Sequence, residues 1–210
     1  MSFIKKYISS IITAAVVLIA VLGFYSPMYA YQEGLQIFMS GVDFFADTCS
    51  RPGGFSDYIG DFLVQFFMYP HWLAIILVAL IVGIQLIAKS IIIKHTNSLL
   101  ADALSVICAA GMMAAVAEFN IIFGGCVAIL LALAAVKIAD ITQNTIILSV
   151  ITPLVYWTTG GWCCIIYIIG VASLFTIKKA GTFTAINAAI LLIVWLLTKK
   201  IMQDDSLIDT

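Results

Sequence analysis

Long apolar runs alternate with short polar breaks along most of the chain, and one longer mixed stretch separates the first run from the others. A helix needs roughly 20 apolar residues to cross about 30 Å of hydrocarbon. Seven runs approach this length, at about residues 8 to 28, 71 to 93, 98 to 117, 120 to 137, 143 to 158, 161 to 177 and 181 to 198. The pattern predicts an all-α polytopic transmembrane helical bundle of about seven spans.

The later runs are joined by very short connections. Glu118-Phe119-Asn120 separates the third run from the fourth, and Thr158-Thr159-Gly160-Gly161 separates the fifth from the sixth. Such short connections predict helical hairpins, and the span count falls if one of the hairpins is re-entrant.

The composition is that of a membrane protein, and the net charge limits the classes of partner. Hydrophobic residues make up 63% of the chain and charged residues 10%, whereas soluble domains are roughly 45–50% apolar. A net charge of −1 provides no basic patch for a polyanion, which excludes nucleic acid as a partner. Membrane lipid and another membrane protein are the partners that we expect.

The basic residues predict the orientation, because short cytoplasmic loops retain Lys and Arg. A cytoplasmic N-terminus places seven basic residues inside: Lys5, Lys6, Lys89, Lys94, Lys137, Lys178 and Lys179. Arg51, Lys199 and Lys200 then lie outside. We interpret residues 1–210 as a single membrane domain with a hydrophilic tail at 199–210. The outside position of this tail opposes the usual bias, so either a span is miscounted, or the charge placement is unfavourable, or the chain is the front part of a longer protein.

The one long connection, residues 29–70, lies outside the membrane in this orientation. Two sets of residues recur at helical spacing on different faces, a polar set of Gln36, Ser40, Asp43 and Asp47 and an apolar set of Leu35, Phe38, Val42 and Phe45. After a break at Pro52-Gly53-Gly54, a second pattern of the same kind runs to Pro70. We therefore predict two amphipathic interfacial helices between spans 1 and 2, packed on the bundle.

This connection also concentrates the acidic residues, holding five of the eleven: Glu33, Asp43, Asp47, Asp57 and Asp61. Pairs of acids at spacing four are typical of solvated helix faces, but they also suit a divalent cation or a general base. Asp47, Arg51, Asp57, Asp61 and Gln65 are the candidate binding residues. No His or Cys cluster accompanies them, so no cofactor is expected beyond such a cation.

Two blocks of the chain resemble a family. The first contains Pro52-Gly53-Gly54, Phe62, Gln65-Phe66-Phe67 and Tyr69-Pro70, and the second contains Leu154-Val155-Tyr156 followed by Gly160-Gly161. They are similar to an uncharacterised family of bacterial inner-membrane proteins with a PGG...F..QFF..P signature, over roughly residues 25 to 175. The resemblance implies a multi-pass protein of the bacterial inner (cytoplasmic) membrane, but no activity.

A first span, two acidic juxtamembrane helices and further spans also resemble the architecture of GT-C glycosyltransferases, which use polyprenyl-phosphate sugar donors. This likeness implies catalytic roles for Asp43 and Glu33. The chain departs from that pattern, because it lacks an Asp-X-Asp pair and has Arg51 alone as an outer-loop cation. A truncated or degenerate module is what the likeness implies.

Three hypotheses for function remain. The first is a noncatalytic or partner-dependent membrane component that docks through its outer juxtamembrane helices. The second is the GT-C-like module, which predicts a groove beside Asp43, Asp47 and Asp61. The third is a transporter, for which Gln85, Asn187 and Pro153 are the interior irregularities.

Overall fold

The computed structural model describes residues 3–23, 34, 36, 38–117, 122–142, 144–175 and 177–205, with side chains from residue 7 to 175 and from 179 to 199 within these ranges. Eight helices occupy this part of the chain. They are α1 (Phe3–Gly23), α2 (Val42–Cys49), α3 (Gly54–Val64), α4 (Pro70–Ile92), α5 (Ser98–Val116), α6 (Phe123–Thr142), α7 (Thr145–Leu174) and α8 (Ile177–Asp205). The predicted all-α fold is confirmed.

Five helices are long and apolar enough to cross a membrane, as expected of a multi-pass membrane protein. These are α4, α5, α6, α7 and the stretch Lys179–Lys199 of α8. A shorter apolar helix covers Tyr7–Gly23. The last helix continues to Asp205, so the tail predicted to begin at residue 199 starts inside a helix.

Helix α7 is a hairpin of two limbs, because the chain reverses direction at Gly160 (φ 80°, ψ 171°). The Tyr167 hydroxyl donates a hydrogen bond of 3.2 Å to the Leu148 carbonyl, 19 residues earlier. A straight helix would separate those residues by roughly 28 Å. The seven apolar runs of the sequence therefore correspond to seven helical limbs.

The limbs pack around two hydrophobic cores. One core lies among α1, α3, α4, α5 and the first part of α6. The other lies among the last part of α6, both limbs of α7, and α8. Helix α6 belongs to both cores and joins the two halves. Only 11% of the apolar stretch Lys179–Lys199 of α8 is buried, so this helix presents most of its surface to the surroundings.

Two ends of the bundle can be distinguished. We call α2, α3 and the turn between them the elbow (residues 42–64), and the end of the bundle beneath it the elbow end. The opposite, distal end carries two ion-pair clusters. Lys89 pairs with Asp102, and Lys94 pairs with Asp140, whose other oxygen lies 3.3 Å from Lys137 Nζ. Three lysines that the sequence analysis assigned to one side thus share one end of the bundle.

The first predicted amphipathic helix is shorter than expected. Residues Phe38–Ser40 have no regular secondary structure, and the helix begins only at Val42. Gly41 precedes it in an extended conformation (φ −104°, ψ 150°) and offers no side-chain cap. The periodicity therefore overestimated the helix, because a glycine without a capping side chain interrupts the pattern. The second helix ends at Val64, before the predicted limit at Pro70.

The elbow contacts the bundle at two glycines, Gly60 on α3 and Gly124 at the start of α6. A Cβ atom on Gly60 would lie 2.6 Å from Gly124 Cα, and a Cβ on Gly124 would lie 2.6 Å from Asp57 Cα. Both contacts are to backbone atoms, which cannot move aside as a flexible side chain can. The elbow therefore approaches α6 at backbone distance, as small residues allow in membrane bundles.

We predict that Gly124→Ala destabilises the protein by about 1–3 kcal/mol, because the added methyl group overpacks the contact with α3. The matched control is Gly125→Ala, since a Cβ atom on Gly125 meets nothing within 4 Å. Thermal unfolding of the two detergent-solubilised variants measures the difference. Equal melting temperatures would contradict the close approach of α3 to α6.

Candidate functional site

The turn of the elbow binds directly to the reversal of α7. The Gly53 N–H donates a hydrogen bond of 2.8 Å to the Trp157 carbonyl. In return, the Trp157 indole N–H donates one of 3.0 Å to the Cys49 carbonyl. The two sequence blocks that carry the family resemblance, Pro52-Gly53-Gly54 and the stretch ending in Gly160-Gly161, are therefore in contact.

Glycine is required on both sides of this contact. Gly53 has φ +88° and Gly160 has φ +80°, a left-handed region that glycine enters at little cost. A Cβ atom on Gly53 would also lie 3.3 Å from Gly160 Cα. A Cβ on Gly54 would collide with the Thr48 carbonyl at the end of α2. The glycines thus set both the sharp angle of the elbow and its distance from α7.

Three charged side chains lie beside this turn. Arg51 Nη2 lies 3.2 Å from Asp57 Oδ2, and Asp61 follows one helical turn later on α3. Burial raises the pKa of the Asp57 carboxyl above its ordinary value, although the Arg51 guanidinium opposes that change. Burial, together with the charge of Asp57, raises the pKa of Asp61, again against Arg51. The positive charge of Arg51 therefore acts on two partly buried carboxyl groups.

The acids on α2 have a different environment. Asp43 and Asp47 are exposed to the surroundings of the protein. Among the residues that the structure describes, no group of three His, Cys, Asp or Glu side chains could hold a metal ion. Glu33 lies outside the described residues. The roles predicted for Asp43 and Glu33 in catalysis, and for Asp47, Asp57 and Asp61 in binding, stay predictions.

Gln65 connects the end of the elbow to the chain that precedes it. Its amide donates a hydrogen bond of 3.3 Å to the Gln36 carbonyl. The Gln36 side-chain oxygen in turn accepts one of 3.3 Å from the Phe123 N–H at the start of α6. Gln65, a candidate binding residue, thus takes part in holding three segments together.

Aromatic side chains fill the inner angle of the elbow. The Phe38 ring lies at the centre, with ring centroids 5.1 Å from Tyr58 and 5.4 Å from Phe62. Tyr58 also meets the Phe45 ring at 5.0 Å, nearly edge to face. Edge-to-face pairs of this kind contribute about 0.5–1.5 kcal/mol each beyond the area they bury. The aromatics of the predicted helices therefore pack mainly on one another.

Sequence reasoning identified Asn187 as an interior irregularity but not its partners. The Asn187 side-chain oxygen accepts a hydrogen bond of 2.5 Å from Thr152. Its amide nitrogen donates to Ser149 Oγ at 3.2 Å and to the Phe183 carbonyl at 2.7 Å. This fully buried network joins α7 to α8. Sequence reasoning missed Ser149 and Thr152, which are recognisable only as hydroxyls inside an apolar run.

Trp157 and Asp140 were also missed as structural residues. The indole and the carbonyl of Trp157 both form hydrogen bonds with the elbow turn. Asp140 pairs with Lys94 and Lys137 near the distal end. The available signal was a lone acid three residues beyond a lysine at the end of an apolar run, which favours an ion pair over an unpaired charge.

Comparison with known proteins gives one match. A family model described as a family of unknown function (DUF6057) matches residues 2–207. The chain belongs to DUF6057. The expectation of an uncharacterised family is thereby confirmed, and nearly the whole chain is DUF6057 sequence. No curated protein and no solved structure matches the chain.

The raised pKa of Asp61 gives a pH-dependent prediction for this DUF6057 protein. Below the ordinary carboxyl pKa of about 3.9 the side chain is neutral in both the folded and the unfolded state, so its ionisation contributes nothing to the stability difference between Asp61→Asn and wild type. As the pH rises through the higher folded-state pKa, only wild type bears the cost of ionising a partly buried acid. Asp61→Asn is therefore the more stable protein near neutral pH, by a margin that solvent screening of this partly exposed group keeps small.

Melting temperatures of the two proteins across the acidic to neutral range measure this difference. Asp43→Asn is the matched control, because Asp43 is exposed on the same elbow. An Asp61→Asn curve that falls below wild type as the pH rises would contradict the assignment.

Proposed function

We propose that this DUF6057 protein is a noncatalytic, partner-dependent component of the bacterial inner membrane that binds another membrane protein through the outer face of its elbow. In this proposal the N-terminus is cytoplasmic and the elbow is extracytoplasmic. The partner presents an apolar surface edged by Lys or Arg side chains.

The observation that carries the proposal is the exposure of α2. This helix has eight residues and buries only Thr48. Isolated helices shorter than about 12–15 residues are marginal in water, so most helices depend on packing for their stability. The internal contacts of α2 come from the aromatic cluster on one side, and its opposite side is open. A partner surface would supply the missing packing.

The exposed face of α2 combines apolar and acidic residues. Val42 is 84% exposed, Ala46 is exposed one turn later, and Asp43 and Asp47 are exposed beside them. Apolar side chains edged by charge are typical of a protein interface. Anionic lipid headgroups would repel the two acids, whereas a basic rim on a protein partner would attract them. Charge complementarity therefore favours a protein over the lipid surface.

The same geometry favours docking over the GT-C-like alternative. That alternative needs acids that face a cavity beside the elbow. Among the residues that the structure describes, a cavity at the elbow turn is lined by Pro52, Tyr156, Trp195, Thr198 and Lys199, none of which is a candidate acid. Asp57 is engaged by Arg51, which leaves its carboxylate less available to a substrate.

The orientation is tested by labelling single cysteines in intact cells with a membrane-impermeant maleimide. In a variant whose five native cysteines are replaced by serine, Ser50→Cys places a thiol on the exposed elbow and Thr142→Cys places one on the exposed distal end. We expect Ser50→Cys to react in intact cells and Thr142→Cys only after the membrane is opened. The reverse pattern would overturn the proposed orientation.

Docking is tested by photo-crosslinking in native membranes. A photoreactive residue at Val42 should give one discrete protein adduct, because this side chain is 84% exposed on the open face of α2. The matched control is the same residue at Ile146, which is 76% exposed on α7 at the distal end. The double variant Asp43→Lys, Asp47→Lys should reduce the Val42 adduct about tenfold, since reversed charges repel a basic rim.

Three results would overturn the docking proposal. They are adducts with lipid alone at Val42, a protein adduct of equal yield at Ile146, and a Val42 adduct that the charge reversal leaves unchanged. The membrane content of the double variant, measured on the same samples, must equal that of wild type. A large loss of inserted protein would show that the acids stabilise the fold, which also contradicts their placement on a docking face.

A further inference from the structure

A crevice runs between the hairpin of α7 and helix α8 at the elbow end. It consists of two adjoining cavities of about 450 Å³ and 280 Å³, and both are lined by Tyr156 and Trp195. The deeper cavity is otherwise lined by apolar or small residues: Gly161, Trp162, Ile165, Ala188, Leu191 and Leu192. The outer cavity is lined by Pro52, Thr198 and Lys199. The crevice is therefore apolar at depth and polar at its mouth.

The length of the crevice matches one leaflet of a bilayer. Its deepest α8 residue is Ala188 and its outermost is Lys199. At 1.5 Å per residue these positions are roughly 16 Å apart along the helix. Half of the hydrocarbon thickness is about 15 Å. An acyl chain of one leaflet therefore fits along the crevice with its headgroup at the mouth.

Lys199 is the one cation among the described residues that line the crevice, and it lies at the level expected for a lipid headgroup. Lys199 Nζ lies 5.4 Å from the centre of the Trp195 ring, which holds the ammonium group over the mouth. The Tyr156 ring contributes to both cavities, so a second aromatic lies at the same level. Tyr and Trp rings favour the membrane interface, where headgroup phosphates lie.

We propose that this crevice is a binding site for one anionic phospholipid. Its acyl chain lies along Ala188 and Leu192, and its phosphate pairs with Lys199. A bound anionic lipid also explains why Lys199 lies at the elbow end, opposite the end that carries Lys89, Lys94 and Lys137. The crevice is lined by no residue of α2, so the inference does not rest on the docking proposal.

Native mass spectrometry of the purified protein tests the site. After delipidation, the protein is titrated with phosphatidylglycerol or phosphatidylcholine in detergent micelles. We expect phosphatidylglycerol to bind at least roughly fivefold more tightly than phosphatidylcholine, and Lys199→Gln to remove that preference. Lys179→Gln is the matched control, because Lys179 is an exposed lysine at the other end of α8 and should leave the preference unchanged.

A second variant tests the apolar part of the crevice. Ala188→Trp fills the deep cavity and should weaken binding of both lipids without changing which of them binds better. Glycerol phosphate, which has the headgroup charge but no acyl chain, should not bind detectably. Equal binding of the two lipids to wild type, an unchanged preference in Lys199→Gln, or unchanged binding in Ala188→Trp would overturn the proposal. Unfolding temperatures equal to that of wild type show that each variant is folded.

Discussion

The reversal of α7 at Gly160 leaves carbonyl groups of the preceding turn without helical partners, so they need hydrogen-bond donors from elsewhere. The elbow supplies one such donor, because the Gly53 N–H donates a hydrogen bond to the Trp157 carbonyl. The hydroxyls of Thr158 and Thr159 donate to carbonyls within the same limb, that of Thr159 to Val155 at 2.7 Å. The connection between the first two spans thus acts as a cap for a hairpin more than a hundred residues away. The position of the elbow follows from this contact.

The spans were predictable because the thickness of the bilayer sets the length of each apolar run. A run of that length can be recognised in the sequence alone. Predicted run 98 to 117 and helix Ser98–Val116 agree within one residue. The hairpin at Gly160 was also foreseen, since two glycines follow two threonines between apolar runs. Helix α2 was overestimated because helical spacing across Gly41 does not show that its backbone is extended. Periodicity records which residues share a face, but not where an uncapped helix begins.

The contacts that position the candidate site were beyond sequence reasoning. The approach of Gly60 to Gly124, and that of Gly53 to Gly160, join residues that are distant in the chain. Glycines in an apolar protein are common, and nothing in the sequence pairs one with another. Asp57 and Asp61 show the same limit of prediction from sequence. Their spacing placed Asp57 and Asp61 on one face of α3, but the partner Arg51 and the partial burial that raises both pKa values depend on the fold.

The two proposed sites meet at the Pro52-Gly53-Gly54 turn. Pro52 lines the mouth of the lipid crevice, Gly53 is bonded to α7, and Gly54 begins the helix that packs against α2. Because both glycines lie at backbone distance from their neighbours, a shift of the turn cannot be absorbed by side-chain rotation. A ligand that contacts Pro52 therefore acts on the same rigid turn that sets the angle of the elbow.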